Sequence, residues 1–109
     1  MKLDMNLIRE ILQALKAKDI NDVDRGAPKI EGYSEEANST HYKILKDKGF
    51  IQAKNLAGTT AWGIPLGQEG LTLEGGNFLR FLKDNINWSK VKNLEDFLDV
   101  LKFWRSWKS

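Results

Sequence analysis

Ser34, Ser39 and His41 are the side chains whose types could together do chemistry, a hydroxyl nucleophile activated by an imidazole base. Their spacing argues against it. On one helix Ser34 stands at the cap, and Ser39, two residues before His41, points to another side, so neither hydroxyl comes within hydrogen-bond reach of the ring. His41 is the only histidine in 109 residues and falls at an inward-facing position, where a hydrogen-bonded packing histidine is the plainer reading.

Other constellations stop short in the same way. The acidic run DINDVD, residues 19–24, has the composition of a calcium loop, but Gly26 follows Asp22 too soon and no glutamate completes the twelve-residue pattern. Solvated loop charge accounts for it. Gly63, Gly67 and Gly70 could cradle a phosphate, yet no Lys-Ser or Lys-Thr pair follows them, so they read as turns leading out of a hairpin. The chain has no cysteine, which removes disulfides, thiolate metal sites and thiol nucleophiles together. The expectation is a protein that is not an enzyme, with no catalytic residue, metal, cofactor or small-molecule substrate.

The elements that must position these residues are legible from period and caps. Asp4 caps a first helix whose Leu7, Ile8, Ile11, Leu12 and Leu15 form one stripe ending near Lys18. Residues 19–32 carry no sustained period; Gly26 and Pro28 mark a turn, and Lys29 and Ile30 suit a short extended piece. Ser34 caps a second helix stopped by Gly49, with Ala37, His41, Ile44, Leu45 and the stem of Lys48 expected on its inner face. Residues 50–54 read as a strand, NLAG as a turn, and TTAWGIP as a second strand limited by Pro65. Thr72 caps the next helix, where Gly75 allows a close approach and Phe78, Leu79, Leu82 and Ile86 share its side. Asn87 and Asn93 suggest two further caps, the second opening a last helix with acids in its first turn and Lys102, Arg105 and Lys108 near its end.

This order predicts a single α+β domain over 1–109, a winged helix-turn-helix-like core at 1–86 with a C-terminal helical extension at 87–109. The short hairpin is the wing. The second helix of a helix-turn-helix is shortened or missing.

Hydrophobic residues at 41% and charged residues at 29% exclude a disordered chain. The N-terminal MKLDMNLIREIL, interrupted by Asp4, Arg9 and Glu10, is neither a signal-peptide core nor a membrane span, so a cytoplasmic protein is expected. The net charge of +2 lies wholly in residues 72–109; residues 1–32 and 33–71 each balance to zero.

Two kinds of binding surface follow. The outer face of the second helix offers Ser39, Thr40 and Lys43 to base edges, with Lys46, Lys48 and Lys54 for phosphates of double-stranded DNA. Against this, Glu35 and Glu36 open the helix, and no basic residue occurs between Lys54 and Arg80, where a wing usually supplies one. The other surface is the last helix, where Phe97, Leu101, Trp104 and Trp107 widen an apolar arc into a candidate homodimer or protein interface. Burial against the first helix, with Trp88 or the hairpin on the other side, is the competing account of that arc. A membrane-surface helix fits poorly, because Glu95, Asp96 and Asp99 would face anionic lipid.

Three blocks, MKLDMNLIREIL, GYSEEANSTHYKILKDKGFIQAKNL and LTLEGGNFLRFLKDNINWSKVK, resemble in order and spacing a small phage- and prophage-associated family, domain of unknown function 2513. The resemblance covers roughly residues 1–92. It implies a winged-helix fold similar to the YjcQ-like proteins and a phage or bacterial origin, and it implies no activity. Where that family carries an apolar residue and an aromatic just before the histidine, this chain has Asn38 and Thr40. The expected function is a DNA-binding regulator working through helix 34–48; the alternative is an adaptor or inhibitor of another protein.

Overall fold

A computed structural model describes residues 3–19, 21, 26–65, 67–85 and 94–108, with side chains described for these except at 84, 85, 94 and 103–108. The elements are α1 (Met5–Ala17), α2 (Glu35–Asp47), β1 (Lys54–Asn55), β2 (Trp62–Gly63), α3 (Leu73–Asn85) and α4 (Leu94–Lys108). Four helices and a two-stranded antiparallel hairpin make a small α+β globule.

Helix α1 forms as its pattern requires. The Asp4 carboxylate accepts from the amides of Asn6 and Leu7, and Leu7, Ile8, Ile11, Leu12 and Leu15 are buried. This helix packs against both α2 and α3.

Helix α2 begins where Ser34 Oγ accepts from the Ala37 amide at 3.0 Å. It ends in a Schellman arrangement: Gly49, at φ +79°, donates to the Lys46 carbonyl, and Phe50 donates to that of Leu45. Its buried face keeps the expected His41 and Leu45 but is shifted from the rest of the expected set, with Ala37 and Ile44 packed at the edge of the core. Asn38, His41, Tyr42 and Leu45 are buried, while Ala37, Ile44 and Lys48 are half-buried. The inner arc is thus turned toward Asn38 and Tyr42, because a polar side chain and a phenol both find partners in the preceding segment.

Among the described residues no helix lies between α1 and α2, and Gly26 forms a bridge with Gly63 while the Ala27 amide donates to the Trp62 carbonyl. The hairpin is shorter than its alternation predicts. Only Lys54↔Gly63 and Asn55↔Trp62 pair; Ile51 instead bridges to Leu71, and Gln52 donates to the Gly70 carbonyl.

The Thr72 hydroxyl donates to the Gly49 carbonyl and accepts from the Gly75 amide, joining the end of α2 to the start of α3. Gly75 lets α3 meet the Phe50 carbonyl, which a Cβ there would strike. Phe50 stacks on Phe78 at 4.6 Å between centroids, and Phe78 meets Phe97 edge-on at 5.9 Å, an aromatic series running from α2 through α3 to α4. The expected caps Asn87 and Asn93, together with Ile86 and Trp88, lie outside the described residues.

Candidate functional site

Trp62, on β2, is the residue that brings the hairpin onto α2. Its indole N–H donates to Ser39 Oγ at 2.8 Å, its ring stacks on Tyr42 at 6.0 Å between centroids, and Lys46 Nζ lies 5.8 Å from the ring centre. Ser39, Tyr42 and Lys46 occupy one side of α2 at three- and four-residue spacing, so a single indole spans two turns of the helix. The Tyr42 hydroxyl donates in turn to the Pro28 carbonyl, and burial pushes its pKa far above the ordinary tyrosine value.

Between α2, the extended segment and the hairpin lies a groove of about 210 Å³, lined by Pro28, Asn38, Ser39, Tyr42, Ala61 and Trp62, with Lys29, Glu35 and Thr60 at its mouth. Tyr42 and Trp62 are its aromatic lining. At the mouth Lys29 Nζ donates to Glu35, and the Glu35 carboxyl is held below the usual range first by the Lys29 hydrogen bond and charge. That ion pair ties the segment before α2 to its first turn, beside the tip of the hairpin. The tip itself, residues 55–61, is uncharged, and Leu56 stands 63% exposed on it.

Asn38 fixes the wall of the groove. Its Oδ1 accepts from the Ile30 amide at 2.9 Å, and its Nδ2 donates to the carbonyls of Ile30 and Ser34 at 3.3 and 3.0 Å. One buried amide thus pairs with both backbone groups of Ile30, as a neighbouring strand would.

His41 is 1% exposed and acts as a joint between helices. Nε2 accepts from the Asp4 amide at 3.0 Å and Nδ1 faces the Ala37 carbonyl at 2.7 Å, a pattern only the neutral ring with its proton on Nδ1 satisfies. Burial lowers its pKa, opposed by the Ala37 carbonyl and the Asp4 charge. The pKa of the Tyr33 hydroxyl is raised, by burial first and then by the Asp4 charge.

The residues expected to read DNA do not present one free surface. Ser39 is half-buried and committed to Trp62, and Lys46 leans over the same indole. Thr40 is half-buried, and Lys43 is exposed but ion-paired with Asp47 at 3.3 Å. Lys48 is half-buried at the end of α2, and Lys54 is exposed on β1. The free side of α2 carries Glu36, Thr40, Lys43 and Asp47, with no positive excess.

The expected interface is corrected at two positions. Phe97 and Leu101 are core residues, 0% and 4% exposed, because α4 turns them toward the aromatic series. The side chains of Trp104 and Trp107 lie outside those described. Sequence reasoning missed Trp62, Tyr42 and Asn38. The available signal for Trp62 was that it is the one aromatic in TTAWGIP, next to a glycine.

These features define a class: a small α+β protein whose hairpin, uncharged at its tip, is joined to a helix through one tryptophan. The chain belongs to the DUF2513 family, described as hypothetical protein (DUF2513), whose model matches residues 2–97. No curated protein and no solved structure matches it. Among the described residues no group of three or more His, Cys, Asp or Glu could hold a metal ion, and no helix is long and apolar enough to cross a membrane.

Proposed function

We propose that this chain acts by binding another protein, with the groove beside Trp62 receiving one apolar side chain of an extended segment of the partner. The observation that carries this is the groove itself: Tyr42 and Trp62 in its lining, a mouth whose Lys29 and Glu35 are paired, and a hairpin tip without charge bearing exposed Leu56. A volume near 210 Å³ suits a single large side chain. This is the adaptor or inhibitor reading, and it accounts for a hairpin without a basic residue from 55 to 79. The arrangement of α1, the bridging segment at Gly26, α2 and the hairpin is read as a winged helix with its second helix replaced. A phage or prophage origin, from the resemblance of the three blocks, and a cytoplasmic location belong to the same proposal.

Double-stranded DNA is the second reading, favoured by exposed Lys43, Lys46 and Lys54 around the seam of α2 and the hairpin. One set of spectra separates the two. Peptides selected from a random displayed library on the wild type, and counter-selected on Trp62→Ala, are expected to shift the amides of Ser39, Tyr42, Thr60 and Trp62. Mixed-sequence duplex at low salt is expected to leave the spectrum unmoved. Duplex-induced shifts at Thr40, Lys43 and Lys54 that weaken steeply with salt, with no peptide shifting the groove, would replace the first reading by the second.

A further inference from the structure

The extended segment ahead of α2 turns its backbone to two sides in alternation. On the hairpin side the Ala27 amide donates to the Trp62 carbonyl. On the α2 side the Pro28 carbonyl accepts from the Tyr42 hydroxyl, and both backbone groups of Ile30 bond the Asn38 amide. In an extended chain alternate residues face the same edge, so Lys29 directs its N–H and C=O toward the hairpin, as Ala27 does. The antiparallel register of Gly26↔Gly63, with Ala27 opposite Trp62, would bring Lys29 opposite Thr60. That pair does not form. Lys29 and Thr60 both line the groove, and the backbone N–H and C=O of Lys29 have no hydrogen-bond partner among the described residues. The ladder stops at Ala27, and its two edges part around the groove.

We propose that Lys29 is the main-chain docking point of the partner, its N–H donating to and its C=O accepting from one extended residue of the bound segment, as at an open strand edge. This rests on the groove at Trp62 receiving that segment's side chain, and it adds how the segment's backbone is held. Lys29 is pre-organised for the task. Its neighbours are pinned from α2, Pro28 by Tyr42 and Ile30 by Asn38, so the edge is extended before the partner arrives. Thr60 has no such support, because its neighbours Thr59 and Ala61 bond only within the hairpin. The Lys29 side chain is turned to Glu35 and plays no part in the docking.

The probe is the tightest peptide selected from a displayed library on the wild type and counter-selected on Trp62→Ala. In hydrogen exchange of the full chain, saturating peptide is expected to protect the Lys29 amide roughly ten-fold or more and to leave that of Thr60 unchanged. Replacing peptide amides one at a time by esters removes single N–H donors. The ester is expected to weaken binding about three- to ten-fold at one position and less than two-fold at its two neighbours, whose N–H groups point the other way. Lys29→Ala keeps the backbone and is expected to bind within about three-fold of wild type. A peptide that shifts the amides of Ser39, Tyr42 and Trp62 with Lys29 unprotected, or with every ester neutral, overturns main-chain docking and leaves the groove reading in place. If no peptide shifts those amides, both fall.

Discussion

His41 shows how one residue can look functional and be structural. In the folded chain its Nε2 must stay unprotonated to accept from the Asp4 amide, so protonation sets two N–H groups against each other in the core. Its folded pKa lies below the ordinary 6.5, and the unfolded chain therefore takes up the proton first. This contribution to stability is complete above about pH 6.5 and is lost as pH falls from there toward the depressed folded value. Urea midpoints from about pH 5 to 8 are expected to fall at the acid end for wild type, and His41→Gln, though weaker throughout, should lack this component. Parallel curves for the two proteins would refute the assignment. Asn38 carries a comparable share through different chemistry. Asn38→Ala strips the Ile30 amide and carbonyl of their partner and is expected to cost about 2–3 kcal/mol in urea unfolding; a loss under about 0.5 kcal/mol would show that water substitutes for the amide.

Between elements, the sharpest contrast lies in two adjacent glycines of α3. A methyl at Gly75 meets the Phe50 carbonyl well inside contact distance, and backbone cannot move aside as a side chain can. Gly75→Ala is expected to destabilise by about 2–3 kcal/mol, overpacking outweighing the roughly 1 kcal/mol that alanine gains in helix propensity. At Gly76 the nearest atom is Leu71 Cδ2 at 3.8 Å, so Gly76→Ala should stabilise by about 0.5–1 kcal/mol. Thermal unfolding of the pair checks the sign of each. The close approach at Gly75 was legible in the sequence, as were the caps Asp4, Ser34 and Thr72 and the stop at Gly49, because each depends on a local rule of backbone geometry. The buried face of α2 was legible only in part, at His41 and Leu45. Periodicity assigned Ala37 and Ile44 to it, while the chain chose Asn38 and Tyr42, whose partners Ile30 and Pro28 lie in a segment without any period to read. Ser39 escaped for the same reason, since its donor Trp62 is 23 residues away. Non-local hydrogen bonds leave no trace in spacing, and they are what build the groove.

Across the whole molecule, cohesion is divided between a helical core and a hairpin that is nearly separate from it. The core runs from the stripe of α1 through Phe50, Phe78 and Phe97 to Leu101. The hairpin contributes only two residue pairs, and every residue from Lys54 to Ala61 is exposed. What ties it down is Trp62, through Ser39, Tyr42 and the Ala27 amide that reaches its carbonyl. Such a piece opens at lower free energy than the core, because it hides little apolar surface. Trp62→Ala removes the indole hydrogen bond and the stack while leaving the backbone pairing with Ala27 possible. In hydrogen exchange the amides of Ala27 and Leu56, bonded to Trp62 and Ala61, are expected to lose protection roughly ten-fold or more. Amides of Ile11 and Leu12 in α1 should keep the protection of wild type to within about three-fold, since the core does not pass through the indole. An equal loss in α1 would mean that hairpin and helices unfold as one unit. The groove would then be a fixed feature of the fold, with no hinge beside it.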